Sequence, residues 1–173
     1  MPSENPKALS GFNGRRNIRL LMVDGDAEFT RQMAEHLAMR GYLVETAHNG
    51  REGLGLFRTG NFPVVLADLH SPDLNGVELL RNIKRADSSV AVVLTVGPGE
   101  NRSVAMPAAD GCAYDLIEKP MAPDKLAAIL YRAVERHRLA RRAALSRRLT
   151  FALVSSIPFL AAAGALITRK LGY

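Results

Sequence analysis

Cysteine is nearly absent from this 173-residue chain, with Cys112 the single one. One thiol excludes an internal disulfide framework and any cysteine-rich zinc site, and it fits a reducing compartment. Acidic residues are just as scarce toward the end: residues 126–173 hold 9 Lys/Arg and 1 Asp/Glu, against 14 and 16 in residues 1–125. The formal charge of +6 therefore belongs to the tail. Residues 1–17 lack any apolar period and mix Pro, Gly, Ser and Asn, so a flexible leader is expected, without the apolar run of a secretory signal. At 47% hydrophobic and 23% charged, the chain has the composition of a globular protein with one core.

From Ile18 onward, short apolar runs alternate with helical stretches. The runs are IRLLMV (18–23), YLVETA (42–47), PVVLAD (63–68), VAVVLTV (90–96) and AYDLIE (113–118), each of strand length. Between them, FTRQMAEHLAMRG, GREGLGLFRTG and GVELLRNIKRA read as helices, and another helix opens at Pro123-Asp124. Strands separated by helices predict an α/β fold: a five-stranded parallel sheet with right-handed crossovers and helices on both faces. The third and fourth runs are almost continuously apolar, as strands buried on both sides should be.

The helix from Pro123 meets no Gly or Pro before it enters LTFALVSSIPFLAAAGALI, 19 uncharged residues over 149–167. Their mean hydropathy is about 2, and at about 1.5 Å per residue they span about 29 Å, the thickness of a bilayer's hydrocarbon. The expected organisation is a folded domain over 18–138, a basic juxtamembrane helix over 139–148, a transmembrane helix over 149–168 and a short tail over 169–173. Arg132, Arg136, Arg138, Arg141, Arg142, Arg147 and Arg148 would face anionic lipid headgroups on the cytoplasmic side. The same arginines could contact nucleic acid, but no aromatic residues are interleaved and no helix-turn-helix follows, so nucleic acid is not the expected partner. The expected place is the cytoplasmic face of the inner membrane; the alternative is the cytoplasm.

In an open parallel sheet the functional groups gather beyond the carboxyl ends of the strands. Those ends carry Asp24-Gly25-Asp26, Asp68, Thr95 and Lys119-Pro120. Carboxylates, a hydroxyl and a lysine converging at one edge suit a hard divalent cation and a phosphoryl group. Mg²⁺ would take the oxygen ligands, Asp68 would be the nucleophile, and Thr95 and Lys119 would neutralise the phosphoryl oxygens.

Over residues 18 to 138 the chain resembles the receiver domain of two-component response regulators, of flavodoxin-like fold. The resemblance is carried by LLMVDGDAEF, VVLADLHSPDLNGVELLRNIK, VVLTV and AYDLIEKP. Asp68, Pro72 and Gly76 meet the family's pattern of acceptor aspartate, proline four on and glycine eight on. The resemblance implies that Asp68 accepts a phosphoryl group from a histidine kinase or phosphotransfer protein and passes its state to a downstream protein. It implies that Asp24, Asp68 and the His70 backbone carbonyl hold Mg²⁺, that Thr95 bonds the phosphoryl group and that Lys119 pairs with Asp68. It also implies a cis Lys119-Pro120 bond and no enzymatic turnover beyond Mg²⁺-assisted self-phosphorylation and dephosphorylation.

The chain departs from the family at two places. The family's second acidic metal ligand falls on Gly25, leaving Asp26 either to reach the ion through water or simply to favour the start of the first helix. The family's switch aromatic falls on Leu116, and Tyr114, two residues earlier, does not replace it. Val96 and Ser71 stand where a smaller residue and a methionine are common. The alternative is therefore a degenerate receiver that binds or scaffolds a partner without phosphoryl transfer. The His70 imidazole is expected to be exposed, His36, His48 and His137 have no partners at metal-ligand spacing, and Cys112 is expected to be a small buried thiol.

Overall fold

The computed structural model describes residues 17–71, 73–100 and 112–146. The chain divides into two compact units, Met1–His137 and Arg138–Tyr173. In the first, five strands alternate with helices: β1 Ile18–Val23, α1 Ala27–Ala38, β2 Tyr42–Ala47, α2 Gly50–Thr59, β3 Val64–Asp68, α3 Gly76–Ala86, β4 Ala91–Val96 and β5 Asp115–Glu118. A further helix, α4, occupies 123–137 of this unit. The sheet is wholly parallel in the order β2-β1-β3-β4-β5, as the alternation of runs predicts.

Side chains of a strand alternate between faces, and here each face builds its own core. Leu21, Val23, Val65, Ala67, Val92 and Leu94 pack with Phe57, Leu79, Leu80 and Ile83 of α2 and α3. Leu20, Met22, Val64, Leu66 and Val93 pack with Met33 and Leu37 of α1 and with Leu126, Leu130 and Val134 of α4. At about 1.5–3 kcal/mol for each large apolar side chain removed from water, these two layers supply most of the drive to fold. Polar bonds then fix the helix positions. Asp26, Asn49 and Asn75 cap α1, α2 and α3. The buried His137 donates through Nδ1 to the Ser89 carbonyl at 2.9 Å, closing the end of α4 onto the segment before β4.

Several boundaries differ from those read off the sequence. β3, β4 and β5 begin at Val64, Ala91 and Asp115, although the Pro63 carbonyl already accepts the Ala91 N–H at 3.1 Å and the Tyr114 N–H already donates to the Val92 carbonyl at 2.7 Å. α1 starts two residues before Phe29, set by its Asp26 cap, and ends at Ala38. Cys112 is exposed, contrary to the buried thiol expected, because it lies ahead of β5 and outside the core layers. The Lys119-Pro120 bond is cis.

In the second unit the described residues, 138–146, are helical and exposed throughout. The expected transmembrane segment 149–168, the short tail 169–173 and residues 1–16 of the expected leader lie outside the described residues. Among the described residues no helix is long and apolar enough to cross a membrane.

Candidate functional site

β1, β3, β4 and β5 end side by side, so the residues at or just beyond their carboxyl ends converge at one edge. Asp68 closes β3 and is the cross-strand partner of Thr95 on β4. Asp24 follows β1 and is only 2% exposed, while Lys119 follows β5. The Lys119 ammonium lies 2.6 Å from Asp24 Oδ2 and 3.6 Å from Asp68 Oδ1. It also sits 4.8 Å from the centre of the Phe29 ring, a cation–π neighbour from α1. The lysine thus stands between both carboxylates but is nearer to Asp24, where the family resemblance implies a pairing with Asp68.

Burial pushes the Asp68 carboxyl above the usual carboxylate range. The Lys119 ammonium opposes that shift, the Asp24 charge adds to it, and a backbone N–H from His70 works to lower it. The Thr95 hydroxyl is completely buried and has no hydrogen-bond partner among the described residues. A buried hydroxyl left unpaired is costly, and it is explained if a ligand oxygen is meant to fill the place.

Oxygen donors and a cation already meet here, so the residues present fit a hard divalent ion, but as a reduced set. Asp24 and Asp68 are the carboxylates, and the His70 carbonyl follows Asp68 by two residues. Asp26 Oδ1 accepts the Phe29 N–H at 3.0 Å, and the Asp26 N–H donates to Asp24 Oδ1 at 3.0 Å. The Asp26 carboxylate caps α1, in line with the helix-start reading. Among the described residues no group of three or more His, Cys, Asp or Glu side chains is placed to hold a metal ion. A second acid at position 25 would complete the set, and the backbone leaves room for one. Among the described residues, a Cβ on Gly25 would meet only the His48 carbonyl oxygen, at 3.7 Å.

The sites of departure are also fixed in the structure. Leu116 is 1% exposed and belongs to the core with Leu94 and Val96. Tyr114 is partly buried beneath the Arg136 guanidinium, 5.6 Å from the ring centre. Ser71 is buried, and its hydroxyl has no hydrogen-bond partner among the described residues. The His70 imidazole is exposed as expected, but it pairs with Glu100 at 2.8 Å.

Two carboxylates that sequence reasoning passed over shape the loop after β3. Asp73 accepts the Gly50 and Arg51 N–H groups at 3.0 and 3.3 Å, tying the loop to the start of α2. Desolvation works to raise its carboxyl, but the N–H groups of Leu74, Arg51 and Gly50 hold it below the ordinary range. Glu100 is the partner of His70. Each pair is more than twenty residues apart, and neither leaves a local pattern to find.

The model of the response regulator receiver domain matches residues 20–131. Among curated proteins, the chain is 33% identical over 122 residues to the C4-dicarboxylate transport transcriptional regulatory protein DctD of Pseudomonas aeruginosa, covering 70% of this chain and 26% of that protein. It is 32% identical over 134 residues to the response regulator MprA of Mycolicibacterium vanbaalenii, covering 77% and 52%. The chain thus spans between about a quarter and about half of the length of these relatives. Among solved structures, a response regulator receiver domain protein from Clostridium thermocellum superposes with a TM-score of 0.65 at 27% identity, over 70% of this chain and 98% of that one.

Proposed function

The chain belongs to the response regulator receiver family, and we propose that within it Asp68 accepts a phosphoryl group from a histidine kinase or phosphotransfer protein. A single observation carries this reading: the Lys119 ammonium stands between Asp24 and Asp68 while the buried Thr95 hydroxyl beside them has no partner among the described residues. One Asp68 oxygen attacks phosphorus, the new O–P bond forms, and the bond to the donor's imidazole nitrogen breaks. Burial makes that oxygen more basic and so a better nucleophile once ionised. Thr95 donates its hydroxyl hydrogen to a phosphoryl oxygen, and Lys119 supplies a positive charge against the added negative charge. Asp24, Asp68 and the His70 carbonyl would hold Mg²⁺, which supplies charge neutralisation of the transferring group. The chain's part is acceptance and presentation of the phosphoryl group to a downstream protein, with no substrate turned over.

The uncharged stretch 149–168 is proposed to anchor the domain at the cytoplasmic face of the inner membrane, with the arginines before it against anionic lipid. The alternative is a cytoplasmic protein. A second reading, a receiver that binds its partner without phosphorylation, is favoured by Gly25 together with the use of Asp26 as a helix cap.

Incubation with acetyl phosphate, with and without Mg²⁺, followed by intact mass tests the acceptor reading. One phosphoryl adduct in the wild type and none in Asp68→Asn is expected. An adduct that survives in Asp68→Asn overturns the assignment, and no adduct under any condition selects the second reading.

A further inference from the structure

The Gly97–Glu100 segment after β4 is tied to the acceptor loop by a side-chain bond. His70 Nε2 lies 2.8 Å from Glu100 Oε2, and since a carboxylate only accepts, Nε2 carries the hydrogen and donates it. The other oxygen of that carboxylate takes the Gly97 N–H at 3.3 Å, so Glu100 folds back on its own segment. Gly99 is held separately, its N–H on Glu118 Oε1 at 2.7 Å. His70 is at the same time a neighbour of the acceptor, two residues beyond Asp68 where the chain leaves β3. Its imidazole is exposed.

The position of the family's switch aromatic offers no other exit for a signal. Leu116 is sealed in the core and carries no polar atom that could follow a movement of Thr95. A phosphoryl group on Asp68 would instead bring up to two negative charges and three strong acceptor oxygens beside His70. Against that group the single, part-exposed Glu100 carboxylate is the weaker acceptor. Once it loses the imidazole, the carboxylate has lost the donor that holds it over the Gly97 N–H.

Resting on the acceptor reading of Asp68, we propose that phosphorylation is reported by an exchange of partners: the His70 Nε2–H leaves Glu100 for a phosphoryl oxygen, and Glu100 releases the Gly97 N–H. No covalent bond changes in this exchange, and the hydrogen stays on Nε2. Its product is a Glu100 side chain and a Gly97 amide released from one another, a structural difference that a downstream protein can read.

The test is amide water-exchange NMR on the full chain in detergent, with acetyl phosphate and Mg²⁺ present and the labelled fraction measured by intact mass. Labelling of the wild type should speed exchange of the Gly97 amide about fivefold, the factor expected for one net hydrogen bond lost. In His70→Ala, compared at equal labelled fraction, the Gly97 rate should be fast before labelling and should not respond to the label. In Glu100→Ala it should be fast before labelling and stay so. A labelled wild type with an unchanged Gly97 rate, or an equal acceleration in His70→Ala, overturns the exchange of partners while leaving the acceptor reading standing. Absence of label in both the wild type and Gly25→Asp, seen by mass alone, overturns the acceptor reading and this inference with it.

Discussion

Lys119 is bonded to Asp24 at 2.6 Å, closer than it stands to Asp68, the residue that would carry the phosphoryl group. A divalent cation held at Asp24 would meet the ammonium already there, and a phosphoryl group on Asp68 would offer the lysine a second partner.

Lys119→Ala should lower stability by about 2 kcal/mol in urea titrations without Mg²⁺, because it leaves the buried Asp24 carboxylate without its cation. Saturating Mg²⁺ should restore about half of that loss by binding the folded state alone. An equal loss at every Mg²⁺ concentration would show that the lysine and the metal do not share Asp24.

Asp68→Asn should be more stable than the wild type at neutral pH, by about 2 °C in Tm without Mg²⁺. The folded state holds the Asp68 proton more tightly than the unfolded chain does, so wild-type stability falls as pH rises from the unfolded carboxylate range through the raised folded value. Asparagine has no such proton to lose. Its advantage should fade as pH falls toward about 4, the unfolded value. Thermal melts across pH check this, and an advantage that grows toward acid would reverse the sign argued here.

Gly25→Asp should fold normally, since the added Cβ meets nothing closer than 3.7 Å. With a further oxygen ligand supplied, the Mg²⁺ concentration giving half-maximal acetyl phosphate labelling should fall about tenfold. An unchanged Mg²⁺ requirement would mean that position 25 does not face the cation.

Gly76→Ala should cost about 2–3 kcal/mol in chemical denaturation, as its Cβ would lie 2.6 Å from the Asp68 carbonyl oxygen and 2.9 Å from the Leu69 Cα. Gly55→Ala in α2 is the control. A Cβ there meets nothing within 4 Å, and the helix should gain about 0.5–1 kcal/mol. Equal effects of the two substitutions would remove the steric argument.

The full chain should sediment with membranes and resist extraction by high salt or alkali, whereas a chain ending at Arg148 should stay soluble. Each arginine near an anionic surface contributes about 1 kcal/mol that salt screens, but the apolar stretch inserts by a term that salt leaves intact. Release by salt alone would leave a peripheral basic helix and no anchor.

Periodicity made the frame legible. The runs Ile18–Val23 and Tyr42–Ala47 and the helix Gly76–Ala86 lie where apolar spacing and terminal residues put them, because each is decided by burial along its own length. The convergence of Asp24, Asp68, Thr95 and Lys119 was legible too, since parallel strands must end at one edge. What could not be read depended on contacts between distant segments. The preference of Lys119 for Asp24 is set by geometry at the ends of β1 and β5. The bond between His70 and Glu100 spans thirty residues of sequence. Cys112, expected to be buried, is exposed because pairing of β5 starts only three positions later.

The loop after β3 is fastened unevenly. On one side the Asp73 carboxylate is clamped by backbone N–H groups of Gly50 and Arg51 at the root of a helix. On the other side stands the exposed bond from His70 to Glu100. A load applied at Asp68 therefore meets a wall toward α2 and slack toward β4. The loop is a cantilever, and the direction in which it can yield is set before any signal arrives.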